Sequence, residues 1–193
     1  MQRSSLIWSS RWVAFVLIGL FMFQPLLAFA KGQRVQIDAA VVYFSPNGGC
    51  TNAIVSEIDQ AKSEVLVLAY SFTSKAIAKA LARAHERGVK VQIIVDKKQR
   101  YARGSVAENE WSSGVPVFVD HYHNAAHNKV MIIDGSIVIT GSFNFTRAAE
   151  ESNAENLLIM RSSSLAQMYI SNWIHHKKHS GEYVIRGARA SLH

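Results

Sequence analysis

With 193 residues, 49% of them hydrophobic, the chain is long enough for one domain with a sizeable core. A formal net charge of +7 and a pI near 9.7 lean toward a polyanionic partner, either nucleic acid or an anionic membrane surface. The one cysteine, Cys50, excludes an intrachain disulfide and is expected to be a free thiol, with pairing between chains the alternative in an exported protein.

Residues 1–30 read as a cleaved secretory signal. Arg3 and Arg11 form the basic start, Trp12 to Phe23 the apolar run, Gln24-Pro25 the break and Ala28-Phe29-Ala30 the small-x-small cleavage site. The mature chain then begins at Lys31, residues 31–193 form a single domain, and the protein is exported, periplasmic or secreted. An uncleaved membrane anchor is the alternative, because the apolar run is nearly long enough to span a bilayer. The segment holds two basic residues and no acidic one, so 19 basic and 14 acidic residues remain without it.

The spacing then predicts a first strand within Val35–Phe44, ended by Ser45-Pro46-Asn47-Gly48-Gly49, and a helix from a Thr51 or Asn52 cap to about Lys62. The continuous apolar run from Glu64 to Phe72 reads as a strand buried on both faces. Ser74 caps a helix to Arg87, stopped by Gly88, and Val89 to Asp96 is the next strand. Lys97 to Trp111 reads as mostly helical and opens with Lys97, Lys98, Arg100 and Arg103 directly after a strand end, where α/β sheets hold ligands. These four are candidate phosphate-backbone contacts, with Tyr101 available for stacking; a solvated helix face is the other reading. Val115–Val119 is a short strand. His121, His123 and His127 raise a zinc question, but no cysteine or acidic residue between them completes a tetrahedral set, so no metal or other cofactor is expected. Glu155 to Arg161 is a last strand and Ser163 to about Lys178 a helix with Leu165, Met168, Tyr169 and Trp173 inward. His175 to His179 read as a solvated basic tail, and the chain from Gly181 as frayed. This order makes an α/β fold, a mixed sheet covered by helices on both faces.

The chemistry concentrates in His127 to Asn144. Val130–Ile133 and Ile137–Ile139 flank Asp134-Gly135, a strong hairpin signal. With those two as the loop, Ile133 pairs with Ser136, Lys129 with Thr140 and His127 with Ser142, so His127, Lys129, Ser142 and Asn144 share one face at the open end. A one-residue slip would scatter them. An imidazole beside an ammonium, a hydroxyl and a carboxamide suits a phosphate held by donors and attacked by histidine.

The spacing His127-x-Lys129, Asp134, then Gly141-Ser142-x-Asn144 resembles the HxKxxxxD motif of the phospholipase D superfamily with its GSxN extension. Ala69–Thr73, Phe145-Thr146 and Glu155-Asn156 are similar to the pattern of its small, single-motif bacterial endonucleases, the Nuc type, over most of the chain after residue 35. The resemblance implies an α-β-α sandwich, a phosphohistidine formed on His127, phosphoryl oxygens held by Lys129, Ser142 and Asn144, and Glu155 orienting the imidazole. Asp134 belongs to the motif but falls at the far end of the hairpin, which suits a structural role. The chain has one motif where the chemistry uses two histidines, so the resemblance implies a homodimer that shares one site. The expected activity is metal-independent cleavage of DNA or RNA. Phospholipid headgroup hydrolysis and nucleic-acid binding without cleavage are the alternatives.

Overall fold

The structure, a computed structural model, describes residues 32–102, 105–107, 110 and 113–183. The expected signal segment, Arg103 and Trp111 lie outside them. Two compact units divide the chain, Met1–Arg34 and Val35–His193, and every element below belongs to the second.

Among the described residues there are eight strands: β1 Ala39–Ser45, β2 Glu64–Ala69, β3 Lys90–Asp96, β4 Val117–Asp120, β5 Lys129–Ile133, β6 Ile137–Gly141, β7 Glu155–Arg161 and β8 Ser180–Glu182. They form one sheet in the order β1-β7-β6-β5-β2-β3-β4-β8. Only β2, β3 and β4 run parallel to their neighbours in that group; the other pairings are antiparallel. Among the described residues the helices are α1 Cys50–Gln60, α2 Lys75–Glu86, α3 Arg147–Glu151 and α4 Ser163–Lys178; the stretch expected to be mostly helical opens with a 3₁₀ turn at Lys97–Arg100 and has helical backbone at Ala107 and Glu110.

The α/β expectation holds: the mixed sheet is a filling between helices. On one face Ile54 and Ile58 of α1 and Ile77, Leu81 and Ala84 of α2 pack on Val65, Val67, Ile93, Met131 and Ile139. On the other, Ala166 and Trp173 of α4 pack on Leu66, Leu68, Ile94, Val130, Ile132 and Val138. The central strands alternate between two dry layers, which is why β2 reads as an unbroken apolar run. Burying each such isoleucine or leucine contributes about 1.5–3 kcal/mol by transfer from water. Trp173 also donates its indole N–H to Val67 O at 3.1 Å, which fixes α4 over β2.

Two ends were misread from local signals. Helix α1 starts at Cys50 after Gly49 in the left-handed region (φ 82°), with no capping side chain of its own. Its first N–H groups are met from a distance: Glu150 accepts from Gly49 N at 3.0 Å and Thr51 N at 2.7 Å. Cys50 is fully buried and free. At the other end the chain is not frayed at Gly181: β8 pairs with β4, and His176 is buried rather than solvated.

Candidate active site

The carboxyl ends of β2, β3 and β4, the start of β5, the end of β6 and the start of β7 all lie along one rim of the sheet. In an open α/β sheet that rim is where ligands sit.

The hairpin that reaches it differs from expectation by one residue. Asp134 and Gly135 both have positive φ, 50° and 62°, as their dipeptide demands. The ladder, however, pairs Ile133 with Ile137 and Val130 with Thr140, so Ser136 is a third loop residue and Thr140 is not opposite Lys129. Tertiary contacts set this register. Asp134 N donates to Glu64 O, and Ser162 N donates to Ser136 O. The slip would send Ser142 to the wrong face, but a bulge follows it: Ser142 N and Phe143 N both donate to Asn156 O, at 3.1 and 3.2 Å. Phe143 turns into the core while Ser142 stays exposed at the rim. Gly141 permits the bulge, with φ 149° and Asn156 O only 2.3 Å from where a Cβ would stand.

At the rim, Lys129 is 8% exposed, and its Nζ lies 3.0 Å from His127 Nδ1 and donates to His127 O at 3.0 Å. The ammonium is a donor only, so the imidazole presents a lone pair to it. The His127 ring leans on the Tyr70 ring, centroids 4.1 Å apart, and Lys129 Nζ stands 4.8 Å from the Tyr70 centroid. Burial pulls the Lys129 pKa below its ordinary value, and the charge of Glu155 pulls it partly back. Glu155 itself accepts from Asn153 Nδ2 at 3.0 Å, and no hydrogen bond joins it to His127 among the described residues.

Two further groups hold unused capacity. Ser142 Oγ accepts from Asn156 N at 3.0 Å and Asn156 Nδ2 at 3.4 Å, which leaves its own proton to donate elsewhere. The buried amide oxygen of Asn144 has no partner among the described residues. A half-turn of that amide would present two N–H donors there. The loop carrying His127 is held in turn by Asp96, whose Oδ2 accepts from Ala126 N at 2.7 Å while Oδ1 accepts from Lys98 N at 2.8 Å. Lys97, Lys98 and Arg100 therefore sit on the same rim.

Asp134 is elsewhere. At the closed end of the hairpin its carboxylate accepts from Lys62 N, Ser63 N, Ser63 Oγ and Glu64 N, at 2.8 to 3.3 Å. Burial alone would raise its pKa; those hydrogen bonds outweigh it and hold the pKa below the ordinary value. Of the supporting groups, Tyr70 and Asn156 stood in the quoted pattern without a role, and Asp96 carried no signal beyond ending a strand.

A second polar cluster surrounds Asp120 at the end of β4. Its Oδ2 meets His123 Nδ1 at 2.8 Å, His176 Nδ1 at 2.9 Å and His179 Nε2 at 3.5 Å. His121 and His123 are thus split: His123 joins Asp120 of β4 and His176 and His179 at the end of α4.

A rim that carries a nucleophile-competent imidazole, a desolvated ammonium and open hydroxyl and amide donors defines a hydrolase of phosphodiester bonds. The chain belongs to the phospholipase D superfamily, as a single-motif protein of the Nuc type. The family described as "Cardiolipin synthase, PLD-like domain" matches residues 54–176. A phospholipase D of Rickettsia conorii is 41% identical over 134 residues, 69% of this chain and 67% of that one. The crystal structure of Nuc from Salmonella typhimurium superposes with a TM-score of 0.72 at 37% identity, over 76% of this chain and 99% of Nuc. NucT from Helicobacter pylori gives 0.70 at 25% identity, over 75% and 99%.

Proposed function

We propose that this chain is an exported, metal-independent endonuclease of DNA or RNA, acting through a phosphohistidine on His127 at a site shared by two copies. The observation that carries the reading is the Lys129–His127 pair beside the free Ser142 proton and the unpartnered Asn144 amide oxygen: a bound phosphodiester supplies an acceptor for Ser142 and, with the Asn144 amide turned over, for its N–H groups. An imidazole nitrogen of His127 bonds to phosphorus as the P–O bond to the leaving sugar oxygen breaks. Lys129 offsets the charge gathering on the non-bridging oxygens. Glu155 acts chiefly on Lys129, whose charge it supports. The leaving oxygen takes a proton from a second imidazole, which then accepts one from the water that hydrolyses the phosphohistidine. Asp134 holds the hairpin and touches no substrate.

One chain supplies one such imidazole, so the second is the His127 of another copy across a twofold axis. The first strand favours this. Val42 and Phe44, 51% and 65% exposed, lie on an edge strand, and Phe44 pairs with Asn156, which holds Ser142. Co-refolding wild-type and His127→Ala chains at equal proportion is expected to leave about a quarter of the activity if both imidazoles are needed; about half would refute sharing.

Nucleic acid is preferred over lipid because Lys97 and Lys98 extend the positive rim beyond one phosphate. The lipid reading rests on relatives named phospholipase D. Purified protein without residues 1–30, assayed in millimolar EDTA on plasmid DNA, RNA and phospholipid vesicles, separates them. Cutting of a polynucleotide in EDTA is expected; headgroup release alone would overturn it.

A further inference from the structure

We infer that Asp120, His123, His176 and His179 form a binding site for one zinc-class divalent cation, which ties the end of α4 to the edge of the sheet. This lies outside the phosphodiester site: β4 is three places from β5 in the sheet, about 14 Å at the usual strand spacing.

Two parts of the chain build the cluster. Asp120 ends β4, and His123 follows it in the next turn. His176 lies in the last turn of α4, and His179 is its C-cap three residues on, the spacing that puts two side chains on one side of a helix. One donor atom from each of the four residues lies within 4.8 Å of every other. The three rings stand 4.8, 5.0 and 5.5 Å apart, centroid to centroid. Metal–nitrogen bonds of about 2.0–2.1 Å in a tetrahedron would place imidazole centroids about 5 Å apart. Drawing the four donor atoms from within 4.8 Å to the spacing of about 3.3 Å in a tetrahedral shell takes side-chain shifts of about an ångström.

Hydrogen bonding alone does not complete it. Asp120 Oδ2 already serves His123 and His176, and the third imidazole nitrogen, His179 Nε2, is buried without a hydrogen-bond partner among the described residues. A single cation at the centre satisfies all three nitrogens and the carboxylate together. The carboxylate is also oriented for that purpose. Its other oxygen, Oδ1, accepts from Tyr122 N and His123 N at 3.0 and 3.1 Å, which aims Oδ2 at the rings. Tyr122 covers His179, centroids 4.9 Å apart. Three imidazoles and one carboxylate select zinc and its transition-metal neighbours over magnesium or calcium, which take oxygen shells. All four protein positions are filled, as in a structural site rather than a catalytic one.

The test uses the full chain without a polyhistidine tag, stripped with EDTA and dialysed. Zinc chloride is titrated against a chromophoric chelator, and melting is followed with and without zinc. The expected result is one zinc per chain, a Tm raised by zinc, and the visible absorption of tetrahedral Co(II) when cobalt replaces it. His179→Gln removes a donor that makes no hydrogen bond, so the fold, checked by circular dichroism, is retained. Zinc affinity in that variant is expected to fall at least about 100-fold and the Tm gain to vanish. Equal zinc binding by wild type and His179→Gln, or a wild-type Tm indifferent to zinc, would overturn the site. Phosphodiester cleavage in EDTA is read separately, so either proposal fails without the other.

Discussion

Two histidine clusters on one chain have opposite companions. At the start of β5, His127 faces the ammonium of Lys129; at the end of β4, three imidazoles face the carboxylate of Asp120. The first arrangement carries surplus positive charge and open donors, so it lacks an anion. The second carries a negative centre that accepts from two imidazole N–H groups and leaves a third imidazole nitrogen without a hydrogen-bond partner among the described residues, a set that one cation can bind in place of those protons. Residue type says little here; the sign of the neighbouring charge decides what an imidazole is for.

The largest expected effect is at His127. His127→Ala should lower kcat by at least about 10³-fold, because no other group in the cluster replaces a nucleophile. Its thermal unfolding should change little, since the ring sits at the rim rather than in the core. Initial rates and a melting curve on the same sample check both, and retained cutting would erase the functional half of the comparison.

Lys129→Met is next, with kcat expected to fall about 10²–10³-fold. Its Tm should not fall, because burial already works against the ammonium and methionine removes that cost. A lower Tm with kcat preserved would make Lys129 a structural cation and dissolve the contrast with Asp120.

A carboxylate outside both clusters calibrates the comparison. Asp134→Ala should cost about 1–3 kcal/mol in chemical denaturation through its lost hydrogen bonds, while kcat of the folded enzyme holds. The folded-state pKa of Asp134 is depressed, so its contribution is complete above the unfolded value near 4 and is lost as pH falls through the folded one. The gap between wild type and Asp134→Ala should therefore narrow in acid. A gap independent of pH would point to packing instead. The smallest effect is in binding: Lys97→Ala with Lys98→Ala should flatten the log–log salt dependence for DNA by about 2.

Much of this was legible in sequence because it is local or periodic. The buried run Val65–Ala69, the Ser74 cap, the Gly88 stop and the His127-x-Lys129 spacing need no knowledge of the rest of the chain. The failures are all non-local. The hairpin register depends on Glu64 and Ser162, the α1 cap on Glu150, and the Asp120 cluster on a helix more than fifty residues later. Counting ligands between His121 and His127 could not find His176 and His179. Their signal was present as histidines three apart at the end of an amphipathic helix, but nothing in the pattern shows which strand end that turn will meet.

The pairing of β1 with β7 has a consequence in time. It joins Ala39 to Arg161, and β7 is also the strand that presents Glu155 and Asn156 to the rim. A chain emerging from a ribosome or a translocation pore has made β1, Tyr70 and the His127 hairpin well before β7 exists. Until then the bulge at Ser142 has no Asn156 to form against, and the first strand has no neighbour. Contacts this distant in sequence form slowly and together. A chain cut before Glu155 is therefore expected to lack the Ser142 bulge and to cut no phosphodiester.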